Sequence, residues 1–481
     1  MKHTPFIQQG FALANQYDAD DSLQQVLNLY LSPDVRAATE KDMRALGALA
    51  VSREQLEHCA EAERNQPYVE HYDTFGNKTS KLVTSAGWKY MKKVAAEQGL
   101  VSVGYENAYG DKTRVVQFAR LYIMNCSMAT FLCPLAMADG AARIMKDFDR
   151  DIYDRLISRN PEEMWTSGQW MTERSGGSDL SNYETVAVHD GTGYRLTGFK
   201  WFSSATDANM SLALAKTQEG ISLFLVDLEA AGSSIQIARL KNKLGTHALP
   251  TAELELNGVP ARLIGQAGRG VKAISTILNI TRIYTAVTAC SGLRRAYGIV
   301  KAYSEVRMIK DKKLIQKPLH QRTMTQLLVT LTALTHLSFY VTALLGKDEA
   351  GTASPEERIL LRCLTPLAKA FVSKKSHLGV GECCEAMGGL GYIETALKDP
   401  ASRKVLAERF NMAPISIAEE ADLKDVMFDV AHGVCATLLT EAAVTLKDDR
   451  LQEMAIRWNS PRNRGERSDA WLLGVDNSAR L

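Results

Sequence analysis

Met171-Thr172-Glu173-Arg174-Ser175-Gly176-Gly177-Ser178-Asp179 presses hydroxyls, carboxylates and two adjacent glycines into one short turn. A backbone of that kind can approach a phosphate or a flavin ring closely and hydrogen-bond to it. A Gly-Gly-Ser turn by itself reads as an ordinary loop. Farther along, Lys200-Trp201-Phe202-Ser203-Ser204 sets an aromatic doublet beside a hydroxyl doublet. The two stretches together, in this order, are far more specific than either alone.

The periodicity of the chain changes on both sides of the first stretch. Before it, residues 39–63 carry apolar side chains near helical spacing at Met43, Leu46, Leu49, Val51 and Leu56. Residues 86–99 and 113–147 continue that period, the latter densely enough (Val116, Phe118, Leu121, Ile123, Met124, Met128) to predict burial on most sides. Residues 73–77 read as a turn. After Pro161 the period falls to two. Residues 183–188 alternate, Asp190-Gly191-Thr192-Gly193 is a turn signal before Tyr194, and 211–215, 221–226, 234–238 and 251–256 are short strand-like runs. From Gly270 the helical period returns over 271–278, 284–306, 320–345, 354–387 and 422–447. The pattern predicts a mainly helical α+β chain. An N-terminal helical domain spans 1–160, a central antiparallel β-sandwich or barrel 161–265, a C-terminal four-helix bundle 266–455 and a polar tail 456–481.

Composition narrows the function classes. The 481 residues exceed one small core, and 46% hydrophobic with 23% charged residues match a globular protein. A formal net charge of +2 gives no global argument for nucleic acid or an anionic membrane. No apolar run is expected to span a bilayer. Met1-Lys2-His3-Thr4-Pro5 lacks the apolar core of a secretory signal. The eight cysteines form no Cys-x-x-Cys pair, so no metal site is expected and buried free thiols are. The closing Ala479-Arg480-Leu481 resembles the Ser-Lys-Leu peroxisomal address, which gives peroxisome as the expected compartment and cytoplasm as the alternative.

The two stretches resemble the flavin-binding segments of the acyl-CoA dehydrogenase superfamily. Thr-Glu-Arg-x-Gly-Gly-Ser-Asp and Lys-Trp-Phe look most like its AidB-type branch. The order of helical domain, β-domain and bundle is that family's, and the likeness extends to residues 82–88 and 240–270. It implies FAD as cofactor. Met171 opens the cofactor segment, the Thr172 hydroxyl points to the ring edge, and Gly177 allows close approach. Ser178 lies at the cofactor or CoA phosphate region. Phe202 takes the place of the aromatic packed on the isoalloxazine, with Ser203 in the same segment and Ser204 as the hydroxyl near N5. Arg282 matches an arginine close to the acyl site. Arg307 matches one that reaches a pyrophosphate across a subunit interface, and Gly388 and Gly389, in Met387-Gly388-Gly389-Leu390-Gly391-Tyr392, match a backbone lying against the adenine end from a neighbouring subunit. A homodimer or homotetramer is implied.

Two departures stand out. The family's Arg-x-x-Phe-Gly reads Arg307-Met308-Ile309-Lys310-Asp311 here, so aromatic and glycine are both lost. The family's Ile-Trp-Glu-Gly-Thr, whose glutamate is the catalytic base, reads Ser416-Ile417-Ala418-Glu419-Glu420-Ala421. Glu419 falls on the base and Glu420 is the shifted alternative; two glutamates capping the helix that follows is the plain structural reading. The resemblance implies α,β-desaturation of an acyl thioester, with oxygen or an electron-transfer flavoprotein as acceptor. Two other readings stay open: a flavin-dependent oxidase or desaturase of a specialised non-CoA metabolite, and an AidB-like DNA-associated flavoprotein. The tail bears only mild basic charge without aromatic interleaving, so nucleic-acid binding is not expected.

Overall fold

Asp190 shows how local chemistry sets the sheet. Its Oδ1 accepts hydrogen bonds from the Thr192 and Gly193 N–H groups at 2.9 and 3.0 Å, and its Oδ2 accepts one from Arg195 Nε at 2.6 Å. The turn so formed joins two antiparallel strands, Val186–His189 and Tyr194–Ser204. A computed structural model describes residues 10–177, 183–393, 418–459 and 469–474. They form two compact units that interleave along the chain. One holds residues 1–52, 109–126 and 282–481, the other 53–108 and 127–281.

The second unit carries the sheet. Its strands are β1 (Tyr68–Tyr72), β2 (Lys78–Val83), β3 (Ser167–Trp170), β4 (Val186–His189), β5 (Tyr194–Ser204), β6 (Met210–Thr217), β7 (Gly220–Asp227), β8 (Ile235–Leu240) and β9 (Thr251–Ile264). Strands β6, β4, β5, β9 and β7 are neighbours in that order, and β7 pairs back to β6, closing the circuit of a barrel. Strand β3 adds to β6 and β8 to β9. The expected pairing is antiparallel throughout; here β3 and β4 each pair with β6 in parallel. Leu196, Ala213, Phe224, Val226, Leu254 and Val259 fill the interior. A separate cluster joins Met210, Leu212, Leu223 and Leu225 to Ala138, Ala141 and Met145 of a helix, Leu132–Phe148.

Three expectations in the first half need correction. The turn at 73–77 lies inside a β-hairpin, β1–β2, within a region read as helical. The β-favouring Tyr68, Val69 and Tyr72 were its signal. The helical run over 113–147 is two helices, Thr113–Met124 and Leu132–Phe148, with Ala129 (φ 44°) and Thr130 (φ 68°) in left-handed conformation between them. Pro134 sits in the first turn of the second, where its missing N–H leaves no bond unmade. Likewise, residues 39–63 divide into Pro33–Leu49 and Arg53–Arg64.

Helices build most of the first unit and accompany the strands in the second. Numbered along the chain, α1 is Asp21–Tyr30, α2 Pro33–Leu49, α3 Arg53–Arg64, α4 Ala86–Glu97, α5 Thr113–Met124, α6 Leu132–Phe148, α7 Arg150–Leu156, α8 Leu228–Ala231, α9 Gly270–Val306, α10 Pro318–Glu349, α11 Pro355–Ala386, α12 Gly389–Ile393, α13 Ala418–Leu446 and α14 Asp449–Asn459. Helix α9 runs unbroken through the two stretches read separately. At the centre, α10 packs against α1, α5, α11 and α13 and buries Met324, Leu334, Leu337 and Phe339. Helix α10 and the segment Met427–Leu446 are each long and apolar enough to cross a bilayer by length and composition, which overturns the expectation that no run is. The α10 window is 83% buried inside the protein, as a core helix is; that of Met427–Leu446 is only 33% buried.

Candidate functional site

A β-bulge brings the two motif stretches into contact. Lys200 pairs with Leu254 and Ser203 with Ala252, so three steps along β5 oppose two along β9. The extra residue leaves Lys200 and Ser203 both facing inward and turns Trp201 and Phe202 outward. Freed from the ladder, the Trp201 N–H donates to the Thr172 carbonyl at 2.9 Å. Thr172 and the aromatic doublet therefore share one surface of the second unit.

Around that junction each residue has a distinct setting. Glu173 and Gly176 exchange backbone hydrogen bonds at 3.3 and 3.2 Å, closing a tight turn. Gly177 is exposed beside Thr172, and a Cβ there would stand 3.1 Å from Thr172 Oγ1. Phe202 is 51% exposed, unusual for so large an apolar ring, and meets Trp201 edge-to-face with centroids 6.1 Å apart. The Ser203 hydroxyl is buried with no hydrogen-bond partner among the described residues. Ser204 Oγ lies 3.0 Å from Thr251 Oγ1. The Lys241 ammonium sits 3.1 Å from the Trp201 ring centroid and 4.8 Å from that of Phe202, and it is ion-paired to Glu253 at 2.6 Å. An exposed aromatic wall, hydroxyls at its edge and an approachable glycine turn fit a flavin ring.

Beneath this surface lie groups to which the sequence assigned no role. Lys200 and Glu173 form an ion pair at 2.7 Å with both side chains fully buried. Their positions inside the quoted stretches were the only available signal.

The remaining expected residues belong to the first unit. Arg282 is half-buried on α9. Arg307 follows that helix and heads a short hairpin in which Met308 pairs with Lys313 and Ile309 with Lys312. Lys310, where the family has its aromatic, takes a left-handed φ of 57° at the hairpin's turn. Gly388 ends α11 with a φ of 64°, the left-handed cap that glycine accommodates without strain. Gly389 has open space where a Cβ would be, whereas one at Gly391 would stand 2.0 Å from the Cys384 carbonyl. Gly389 thus leaves room for an approaching group and Gly391 packs the turn. Glu419 and Glu420 lie in the first turn of α13, but their side chains fall outside the described residues, as do Ser178 and Ala479-Arg480-Leu481.

Comparison with known proteins agrees with this geometry. Residues 8–161 match the adaptive response protein AidB N-terminal domain, 168–259 the acyl-CoA dehydrogenase middle domain, and 268–412 the acyl-CoA dehydrogenase C-terminal domain. The chain is 38% identical to acyl-CoA dehydrogenase family member 11 of Caenorhabditis elegans over 81% of its own length and 67% of the relative's. It is 27% identical to the putative acyl-CoA dehydrogenase AidB of Escherichia coli over 89% and 83%. The structure of C. elegans ACDH-11 in complex with C11-CoA superposes with a TM-score of 0.88 at 31% identity, covering 98% of this chain and 95% of that one. With its three matched segments in family order and its paired cofactor motifs on one surface, the chain belongs to the acyl-CoA dehydrogenase superfamily, in its AidB-type branch, as an FAD-dependent oxidoreductase acting on CH–CH groups.

Proposed function

We propose that the protein introduces an α,β-double bond into an acyl-CoA thioester. The junction of Thr172 with the Trp201-Phe202 bulge carries the reading, because it gives the two cofactor segments one shared face. The acyl-CoA found with the C. elegans relative supports CoA as the handle. Bound FAD would supply the hydride acceptor for the β-hydrogen. Glu419 takes the α-proton, so the substrate loses one proton and one hydride and leaves as the enoyl thioester. Phe202 holds one side of the flavin ring and excludes water there. The hydroxyls of Thr172 and Ser204 would orient its edge, Arg282 would orient the acyl site, and Arg307, Gly388 and Gly389 of a neighbouring copy would hold the pyrophosphate and adenine end. Developing negative charge on the thioester carbonyl requires hydrogen-bond donors, the term that most lowers such barriers.

The test is optical. Purified protein is expected to show flavin absorption, and anaerobic addition of a panel of acyl-CoAs to bleach it with at least one chain length. Flavin that stays oxidised with every acyl-CoA but is reduced by a carboxylic acid or amide would move the substrate to a non-CoA metabolite. Titrating the reduced enzyme with oxygen, and separately with an electron-transfer flavoprotein, assigns the acceptor.

We further propose that the protein works as a homo-oligomer joined through the α13–α14 face. Val444 (74% exposed) and Ile456 (38%) line one groove with Ala443 and Ala455, an apolar surface of the kind that marks an interface. Val444→Glu is expected to lower the mass measured by light scattering from dimer or tetramer to a smaller species. An unchanged mass would place the interface elsewhere.

A further inference from the structure

Thr172 is fixed on both flanks by one buried ammonium group. All three Lys200 donors are used: Nζ donates to Glu173 Oε1 at 2.7 Å, to the Leu214 carbonyl at 2.7 Å and to Tyr183 OH at 3.2 Å. The Tyr183 hydroxyl in turn donates to the Met171 carbonyl. Glu173 accepts, besides Lys200, the backbone N–H of Glu184 at 2.5 Å and of Thr185 at 3.2 Å. Residues 171 and 173 are thus tied to Lys200, one through Tyr183 and one directly. The carbonyl between them, on Thr172, is held by the N–H of Trp201, the residue after Lys200.

A fully buried ion pair is weak evidence for stability as such, since removing two charges from water offsets most of their attraction. Burial does lower the Lys200 ammonium to about 8, with the Glu173 carboxylate pulling the other way. What the arrangement supplies is geometry. Lys200 lies at the foot of the bulge and Glu173 at the start of the glycine turn, so their bond sets the distance between the two cofactor segments.

We propose that Lys200, acting with Glu173 and Tyr183, is a positioning residue that sets the Thr172 hydroxyl and the Trp201–Ser204 wall at the spacing the flavin ring requires. The inference rests on the placement of the ring argued under Proposed function. The three side chains touch neither substrate nor flavin; they act through residues that do, as supporting groups around bound cofactors and metals do.

The decisive variant is the double replacement Lys200→Met with Glu173→Gln, which removes both charges at nearly constant volume and leaves no lone buried ion. It is expected to keep the far-UV circular dichroism and cooperative unfolding of the parent. Its Kd for FAD is expected to rise by about 10–100-fold, as loss of supporting partners does at other bound groups, and the visible circular dichroism of the residual bound flavin to change. Tyr183→Phe, which keeps the ion pair and deletes one hydroxyl, is expected to move both readouts the same way by a smaller amount. Parent values of Kd and visible dichroism in the folded double variant would overturn the proposal. Should that variant not fold, parent values in Tyr183→Phe would overturn it. Phe202→Ala separates this inference from the reading beneath it. If Phe202→Ala weakens FAD binding while the Lys200, Glu173 and Tyr183 variants do not, only the positioning role falls. If Phe202→Ala also leaves the flavin unchanged, the ring does not lie on this wall and both fall.

Discussion

Glu419→Gln is expected to bind FAD as tightly as the parent and to lose about 10²–10⁴-fold in turnover, the usual contribution of a positioned general base. Glutamine keeps the volume and the carbonyl acceptor but has no basic oxygen, so binding survives while proton removal does not. The flavin of the variant should stay yellow under anaerobic conditions with an acyl-CoA that bleaches the parent. The N-terminal turn of α13, which begins at Ala418, suits an acidic residue at this position. Glu420→Gln is the matched control, because the next position on a helix points about 100° away. A fall confined to Glu419→Gln assigns the base. A fall confined to Glu420→Gln shifts it by one residue, and full activity in both leaves the two glutamates as ordinary first-turn charges.

What the sequence made visible and what it hid follow from the range of the interactions involved. The Asp190–Gly193 turn was legible because its donors and acceptors lie within a few residues of one another. The strands of the barrel were legible as period-two runs, but β3 was not, since Ser167-Gly168-Gln169-Trp170 has no alternation and becomes a strand only by pairing with β6. The break between α5 and α6 was masked by Met128 and Phe131, which continue the apolar run, although Asn125, Ser127, Thr130 and Pro134 are contrary signs. At the site, residue types pointed to Thr172 and Phe202, yet nothing local announces a bulge. Its register depends on β9, more than forty positions along the chain. The Lys200–Glu173 pair escaped notice for the same reason: each residue is an unremarked charge until the fold buries both. The departures at Lys310 and Glu420 were visible as residues, while their consequence at Lys310, a left-handed turn, needed coordinates.

Arg114→Met is expected to destabilise the helical unit by about 1.5–3 kcal/mol, because it removes the buried donor of a charge-assisted pair with Glu349, which is 18% exposed. Arg114 is 1% exposed in the first turn of α5 and meets Glu349 with Nε to Oε2 at 2.5 Å and Nη2 to Oε1 at 3.0 Å. A third bond runs from its Nη1 to Gln117 Oε1 at 2.6 Å. Glu349 is the last residue of α10, where the helix dipole disfavours a negative charge, so the guanidinium offsets two unfavourable placements at once. The approach is close because Gly346 has no side chain; a Cβ there would stand 2.3 Å from the Asp111 carbonyl and 3.5 Å from Arg114 Cβ. Methionine fills much of the arginine's volume, so the loss measured by urea denaturation reports charge and hydrogen bonding more than packing. Glu349→Gln alone should also be destabilising, since it replaces the charged acceptor of the bidentate pair with a neutral amide. The double variant, with neither charge, should recover a large part of the loss, because a neutral pair of similar volume replaces a buried ionic one at little cost. Additive losses in the double variant would show that packing, not the bidentate pair, holds α5 to the end of α10.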